Sequence, residues 1–329
     1  MAVTPLLLFV LALILWAEFV NGWTDAANSI ATVVSTRVLS PKVAVLLATT
    51  LNIAGTFSGL EVANTIGKGI IRADMVSITT VAAAMIAIIS WSTIAWKYGL
   101  PTSESHALIS GLTGAGLAVA GPSALEWGGW QKVFIGLLFS TFLGFILAYL
   151  IFLSIAWIFK DNHISKIRRL FGKLQILSAA FMAFGHGSND GQKFIGAFAL
   201  TLLLGGVTSE FTVPWWVIIL CAVTMGIGTS IGGWRIIRTM GTRLAKLEPQ
   251  HGFAAETAAA TSIEIASRFG IPLSTTHTIS TAIMGVGASQ GIRKIRWGVA
   301  GNIVSAWILT FPICMAISFI VAKIFLWIV

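Results

Sequence analysis

No charged residue precedes Glu18, yet the apolar run that begins at the N-terminus ends on a carboxylate and an amide, in Asn21-Gly22-Trp23-Thr24-Asp25-Ala26-Ala27-Asn28. An ionisable group at the end of such a run lies at membrane depth, where charge is costly and marks a functional site. The pattern returns as Phe184-Gly185-His186-Gly187-Ser188-Asn189-Asp190-Gly191-Gln192-Lys193, with Phe19 superimposing on Phe184, Gly22 on Gly187 and Asp25 on Asp190. A costly feature repeated in register points to a duplicated membrane protein with one acid at the centre of each half.

Composition agrees with that setting. Of 329 residues, 56% are hydrophobic and only 10% charged, too apolar for a soluble domain of this size. The clearest runs are 5–20, 43–58, 79–96, 133–159, 214–231 and 303–329, and none alternates with period two, so helices are expected rather than a β-barrel. The net charge of +9 sits mostly in short connectors rather than on a basic domain, which argues against nucleic acid as a partner and for positive-inside topology. The main clusters are Arg37 and Lys42; Lys160, Lys166, Arg168, Arg169 and Lys173; Arg235, Arg238, Arg243 and Lys246; and Arg293, Lys294 and Arg296. With these facing the cytoplasm, the N-terminus is expected outside. No basic stretch precedes the first apolar run, so that run is retained as the first helix rather than read as a signal peptide. Cys221 and Cys314 lie in apolar runs and are expected to be buried free thiols.

The reading is therefore an all-α, polytopic cell-membrane protein. A first repeat covers 1–158, a basic cytoplasmic connector 159–175 and a second repeat 176–329. The first helix is expected to end near Asn21-Gly22, with Ala26–Val34 a broken second half or a re-entrant piece. The 107–121 segment is short and glycine-rich for a span. A basic connector on the cytoplasmic side closes a half that began outside, so the second half starts inside and the repeats are inverted. Inverted repeats with interrupted helices are the sequence pointer to a secondary transporter whose site lies at mid-membrane.

The best internal match pairs Lys97-Tyr98-Gly99-Leu100-Pro101-Thr102-Ser103-Glu104-Ser105-His106 with Arg268-Phe269-Gly270-Ile271-Pro272-Leu273-Ser274-Thr275-Thr276-His277. Proline stops a continuous helix, whereas proline and hydroxyl residues suit a helix start. Each segment reads as a half-helix beginning inside the membrane, its free N–H groups and positive dipole end forming an anion site. Ser103, Ser105, Ser274, Thr275 and Thr276 are the expected substrate contacts, with Gln192 and Lys193; Lys193 alternatively serves to neutralise Asp190. Adjacent Ser105 and His106 point about 100° apart on a helix and cannot pair as nucleophile and base, which disfavours an intramembrane hydrolase. Paired carboxylates likewise disfavour a passive anion channel.

An aspartate repels an anion unless a cation intervenes. Asp25, Asn28, Asn189 and Asp190 are accordingly expected to hold the coupling ion, Na+ through hard oxygen ligands or a proton on a desolvated carboxylate. Glu61 and Glu256 join them as weaker candidates, each equally readable as an interface residue. No enzymatic cofactor is expected.

Gly22–Asn28, Gly187–Lys193 and the paired Pro-x-Ser-x-Ser/Thr-His loops together closely resemble the inorganic phosphate transporter (PiT) family, over nearly the whole chain. The resemblance implies a phosphate symporter driven by Na+ or H+, built from two inverted repeats, often a homodimer, with re-entrant hairpins meeting at the substrate. Many members carry Asn or His before the first aspartate; here Thr24 stands there, while Asn189 keeps the pattern. Some relatives look like sulfate permeases. A buried acceptor receives the P–OH hydrogen bond that sulfate lacks near neutral pH, and Asp25, Asp190 and Glu104 supply acceptors, so phosphate is favoured over sulfate.

Overall fold

Proline at the first turn, a hydroxyl before it and glycine after the last turn set many of the helix boundaries in the computed structural model, which describes residues 4–328. Thr4 caps α1 (Pro5–Ser35), its hydroxyl accepting from Leu7 N at 3.2 Å. The chain continues through α2 (Pro41–Thr56), α3 (Glu61–Gly69), α4 (Ile78–Tyr98), α5 (Glu104–Ala120), α6 (Trp127–Leu138) and α7 (Gly144–Ile158). The remainder comprises α8 (Ile164–His186), α9 (Gln192–Leu204), α10 (Trp215–Ile231), α11 (Trp234–Arg238), α12 (Pro249–Arg268), α13 (Thr275–Ser289) and α14 (Trp297–Ile328). No strand forms among the described residues beyond one isolated bridge between Ile71 and Leu125. Among the described residues five helical stretches, Pro5–Ser35, Ile78–Tyr98, Glu104–Ala124, Trp127–Ile158 and Trp297–Ile328, are long and apolar enough to cross a membrane. Seven do so if the two bent pairs, Pro41–Thr56 with Glu61–Gly69 (68°) and Trp215–Ile231 with Trp234–Arg243 (59°), each count as one span. Leu46, Phe142, Trp157, Trp215, Ile308 and Ile320 are exposed on the outer faces, a surface suited to lipid.

The break expected near Asn21-Gly22 does not occur: α1 runs unbroken from Pro5 to Ser35. The polar residues there sit inside a regular helix because α1 and the elements packed on it supply partners: Thr24 Oγ1 donates back to Val20 O within α1 at 2.8 Å and across to Glu104 Oε1 of α5 at 3.1 Å. The equivalent stretch Gly187–Gly191 instead forms a π-helical turn between α8 and α9. The connector expected over 159–175 is also mostly helix, since α8 already begins at Ile164 and carries Lys166, Arg168, Arg169 and Lys173 as its first turns. The 107–121 segment, expected to be short for a span, falls largely within α5, and with its flanks the helical stretch Glu104–Ala124 is long and apolar enough to cross a membrane. Cys221 and Cys314 are buried free thiols, as expected.

The halves are interleaved rather than set side by side. α1 packs on α10, and α8 packs on α2. Glycines allow these backbones to touch. A Cβ at Gly22 would overlap the Met225 carbonyl, and one at Gly187 would overlap the Asn52 carbonyl. In return, Gly228 lies against Phe19 and Trp23, while Gly55 lies against Phe184 and Ser188. Each of these contacts is matched by one between the corresponding positions of the other half. A side chain at Gly22 has nowhere to go, because the obstacle is backbone. Overpacking a core costs about 1–3 kcal/mol, so Gly22→Val should lie near the upper end of that range. Thermal unfolding in detergent should show a fall of several degrees for Gly22→Val. Gly301→Ala, where nothing lies within 4 Å of the added Cβ, should leave the midpoint unchanged or raise it slightly.

Candidate functional site

Two turns of matching construction bring the helix starts together. α4 ends on Gly99 at φ +67° and α12 is followed by Gly270 at φ +63°, the left-handed conformation that glycine adopts without strain. Thr239 Oγ1 donates to Gly99 O at 2.8 Å, and Thr65 Oγ1 donates to Gly270 O at 2.7 Å. After each turn a proline leads to an N-cap: Ser103 Oγ accepts from His106 N and Ser274 Oγ accepts from His277 N, both at 3.2 Å. The first N–H groups of α5 and α13 have no intrahelical partner. The two starts touch, with Ser105 Oγ donating to Leu273 O at 3.0 Å and the His106 and His277 rings 4.5 Å apart.

The carboxylates lie against these starts. Asp25, on α1, is 4% exposed and Asp190, in the π-turn, 1%. Single ligand atoms of Asp25, His186 and Asp190 all fall within 4.8 Å of one another. Thr276 Oγ1 donates to Asp25 Oδ1 at 3.4 Å and Thr275 Oγ1 to Asp190 Oδ2 at 2.7 Å. Asn28 Nδ2 donates to both hydroxyls, at 3.1 Å to Thr275 and 2.9 Å to Thr276, while Asn28 Oδ1 and the neighbouring Ser29 Oγ have no partner among the described residues. α1 thus contributes carboxylate and amide oxygens, while the start of α13 contributes hydroxyls.

Lys193, one turn beyond Asp190 and 1% exposed, is paired with the Asp190 carboxylate. It also donates to Ser105 Oγ and, at 2.8 Å, to Leu273 O. His186 Nε2 lies 3.2 Å from Asp190 Oδ2. Asp25, by contrast, is in no ion pair among the described residues. The site is therefore asymmetric in charge despite its near-symmetric backbone.

Of the residues expected at the site, Asp25, Asn28, Asp190, Lys193, Ser103, Ser105, Ser274, Thr275 and Thr276 are brought together. Asn189 lies at the edge, its amide nitrogen donating to Ser267 Oγ at 2.8 Å and Ile271 O at 3.3 Å, with Oδ1 unpartnered. Gln192 is engaged elsewhere: its Oε1 accepts from Val62 N at 3.0 Å and its Nε2 donates to Ser188 O at 2.7 Å, which ties α3 to the π-turn. Glu61 is outside the cluster. It is exposed at the start of α3, where its carboxylate accepts from Leu60 N at 3.0 Å, and it lines an open surface cavity with Lys68, Lys132 and Arg268. Glu256 forms a separate buried centre, accepting from Thr32, Ser178 and, at 3.0 Å, Gln175.

Two contributors escaped the sequence reading. His186 contacts Asp190 and, at 3.2 Å, Asn52 Oδ1; superimposing the halves pairs it with Asn21, a polar match that is the available signal. Glu104, read only as an acceptor for substrate, already accepts from Thr24 at 3.1 Å and Ser92 at 2.7 Å.

A closed polar centre held between interrupted helices, inside a body whose surface is apolar, defines a multi-pass membrane transporter. The phosphate transporter family model matches residues 21–318, and the chain belongs to that family. A Rhizobium meliloti protein named "Probable low-affinity inorganic phosphate transporter" is 47% identical over 316 residues, covering 95% of both chains. A Bacillus subtilis protein of the same name is 40% identical over 299 residues, covering 90% of each. Among solved structures, "The sodium-dependent phosphate transporter" superimposes with a TM-score of 0.87 at 24% identity, covering 99% of this chain and all of the other, which shows the fold. These relatives are named as transporters rather than enzymes, and none of the three is named for sulfate.

Glu104 holds α1 and α4 to the start of α5. Removing it leaves the buried Ser92 hydroxyl without that acceptor and Thr24 with Val20 O alone, and a buried donor left unsatisfied costs about 1–3 kcal/mol. Glu104→Ala should therefore destabilise by about 1–3 kcal/mol, and Glu104→Gln by less, as read by thermal unfolding of the purified protein.

Proposed function

We propose that the protein imports inorganic phosphate across the cell membrane by symport with Na+, through alternating access between two inverted repeats. The observation that carries this reading is the meeting of the α5 and α13 starts beside Asp25 and Asp190. An oxyanion takes its hydrogen bonds from the free N–H groups of the first turns and from the hydroxyls of Ser105, Thr275 and Thr276 as these turn from Leu273 O, Asp190 and Asp25. Ser103 and Ser274 shape these starts as caps.

Charge balance leads from anion binding to coupling. A phosphate charge about 4 Å from an unpaired carboxylate is repelled by roughly 4 kcal/mol at an effective dielectric of 20, which corresponds to nearly three orders of magnitude in affinity. A cation on Asp25, ligated also by Asn28 Oδ1 with Asn189 and Asp190 at the margin, removes that penalty, so the anion enters with its cation. Thr275, Thr276, Asn28 and Asp25 form one hydrogen-bonded set, and a cation there reorients groups that also face the anion. Neither Gln192 nor Glu61 carries a role at this centre. Glu256 acts through its own hydrogen bonds to α1 and α8.

A two-fold relation of the repeats is supported by the matched contacts of Thr65 with Gly270 and Thr239 with Gly99, and of Gly22 with Met225 and Gly187 with Asn52; their inversion rests on the charge of the connector. With the basic start of α8 in the cytoplasm, α1 begins outside.

Proteoliposome uptake of labelled phosphate and sulfate, with Na+ and pH gradients imposed separately, tests the proposal. Saturable phosphate uptake driven by an inward Na+ gradient is expected, with Asp25→Asn reducing it by roughly 100-fold, the loss of about 3 kcal/mol of charge stabilisation. Uptake driven by the pH gradient alone would assign the coupling ion as H+. Preference for sulfate, or a non-saturating flux without either gradient, would overturn the assignment.

A further inference from the structure

Superimposing the repeated motifs aligns Asn28 with Lys193, so the two acids have neighbours of different charge at the same position. The Lys193 ammonium contacts the Asp190 carboxylate, the Ser105 hydroxyl and the Leu273 carbonyl. These are one carboxylate, one hydroxyl and one main-chain oxygen, contributed by the π-turn, the start of α5 and the turn before α13. They are the donor types that a discontinuous-helix site offers a Na+ ion. At Asp25 the corresponding position carries no charge, and oxygens of Asn28 and Ser29 remain without partners.

We infer that the Lys193 ammonium is a tethered cation that permanently fills the Asp190 half of a duplicated ion site, leaving the Asp25 half to the exchangeable ion. Building on the symport reading above, this sets the stoichiometry: the chain binds one cation fewer than a protein with a neutral residue at this position. The tether also has a mechanical consequence. Its contacts join α9 to the starts of both half-helices, so the anion cradle retains one fixed positive charge even before the coupling ion arrives. That charge is 1% exposed and already paired, which separates it from a lysine reaching into a cavity for substrate.

The test counts bound ions on the full-length purified protein. Equilibrium binding of radioactive Na+ at saturating phosphate is compared for the wild type, Lys193→Asn, Lys193→Arg and the charge-neutral pair Asp190→Asn/Lys193→Asn. Lys193→Asn should bind one more Na+ per chain than the wild type, and Lys193→Arg and the double variant should match it. The Hill coefficient for Na+ in phosphate uptake should rise by about one in Lys193→Asn. An unchanged count with a raised phosphate KM in Lys193→Asn would make Lys193 a substrate ligand and overturn the inference. Loss of one Na+ in the double variant would show that Asp190 already exchanges its ion, with the same result. The double variant keeps the test decisive where Lys193→Asn alone does not fold. Wild-type uptake indifferent to Na+ would refute Na+ symport alone, because the tether is read from the difference between variants.

Discussion

Two carboxylates held in the centre of a membrane-spanning body must be balanced, and the arrangement around Asp25 and Asp190 follows from the different ways each is. Asp190 is met by the Lys193 ammonium and by His186. Asp25 receives one long hydrogen bond from Thr276 and has no ionic partner among the described residues. An ionised group in such a setting is costly unless paired, so the unpaired acid is where a mobile cation gains most. In the proposed symport, placing the anion site beside it makes the binding of one ion a condition for the other.

Holding these groups in place requires backbones to approach more closely than side chains normally allow. Glycines at 22, 55, 187 and 228 let α1 and α8 press directly on helices of the opposite half. Small residues at such crossings are a recurring means of packing helices in a membrane, where burial of apolar surface gives little drive. Each half completes the packing of the other, and both large buried clusters mix residues from the two halves of the chain.

Much of the site was legible in the sequence because duplication made it visible. Asp25 and Asp190, and the paired Pro-Ser turns, stood out by recurring in register, and the structure brings them together. Continuity of α1 was not legible, since the polar string from Asn21 to Asn28 has the composition of a break; the partners of Thr24 and Asn28 include Glu104, Thr275 and Thr276, which are distant in sequence. Gln192 and Glu61 share the character of site residues but serve local hydrogen bonding, one for α3 and one at its own helix start. His186 was obscured because its counterpart, Asn21, is a different residue type.

If the anion cradle and the cation site form one coupled centre, the ions must strengthen each other's binding by the same factor. Calorimetric titration of the detergent-solubilised protein with phosphate at increasing Na+, and with Na+ at increasing phosphate, measures both sides of that relation. The account predicts that phosphate Kd falls as Na+ rises and that Na+ Kd falls reciprocally with phosphate. Phosphate affinity that stays constant across the Na+ series, with Na+ affinity equally indifferent to phosphate, would contradict it.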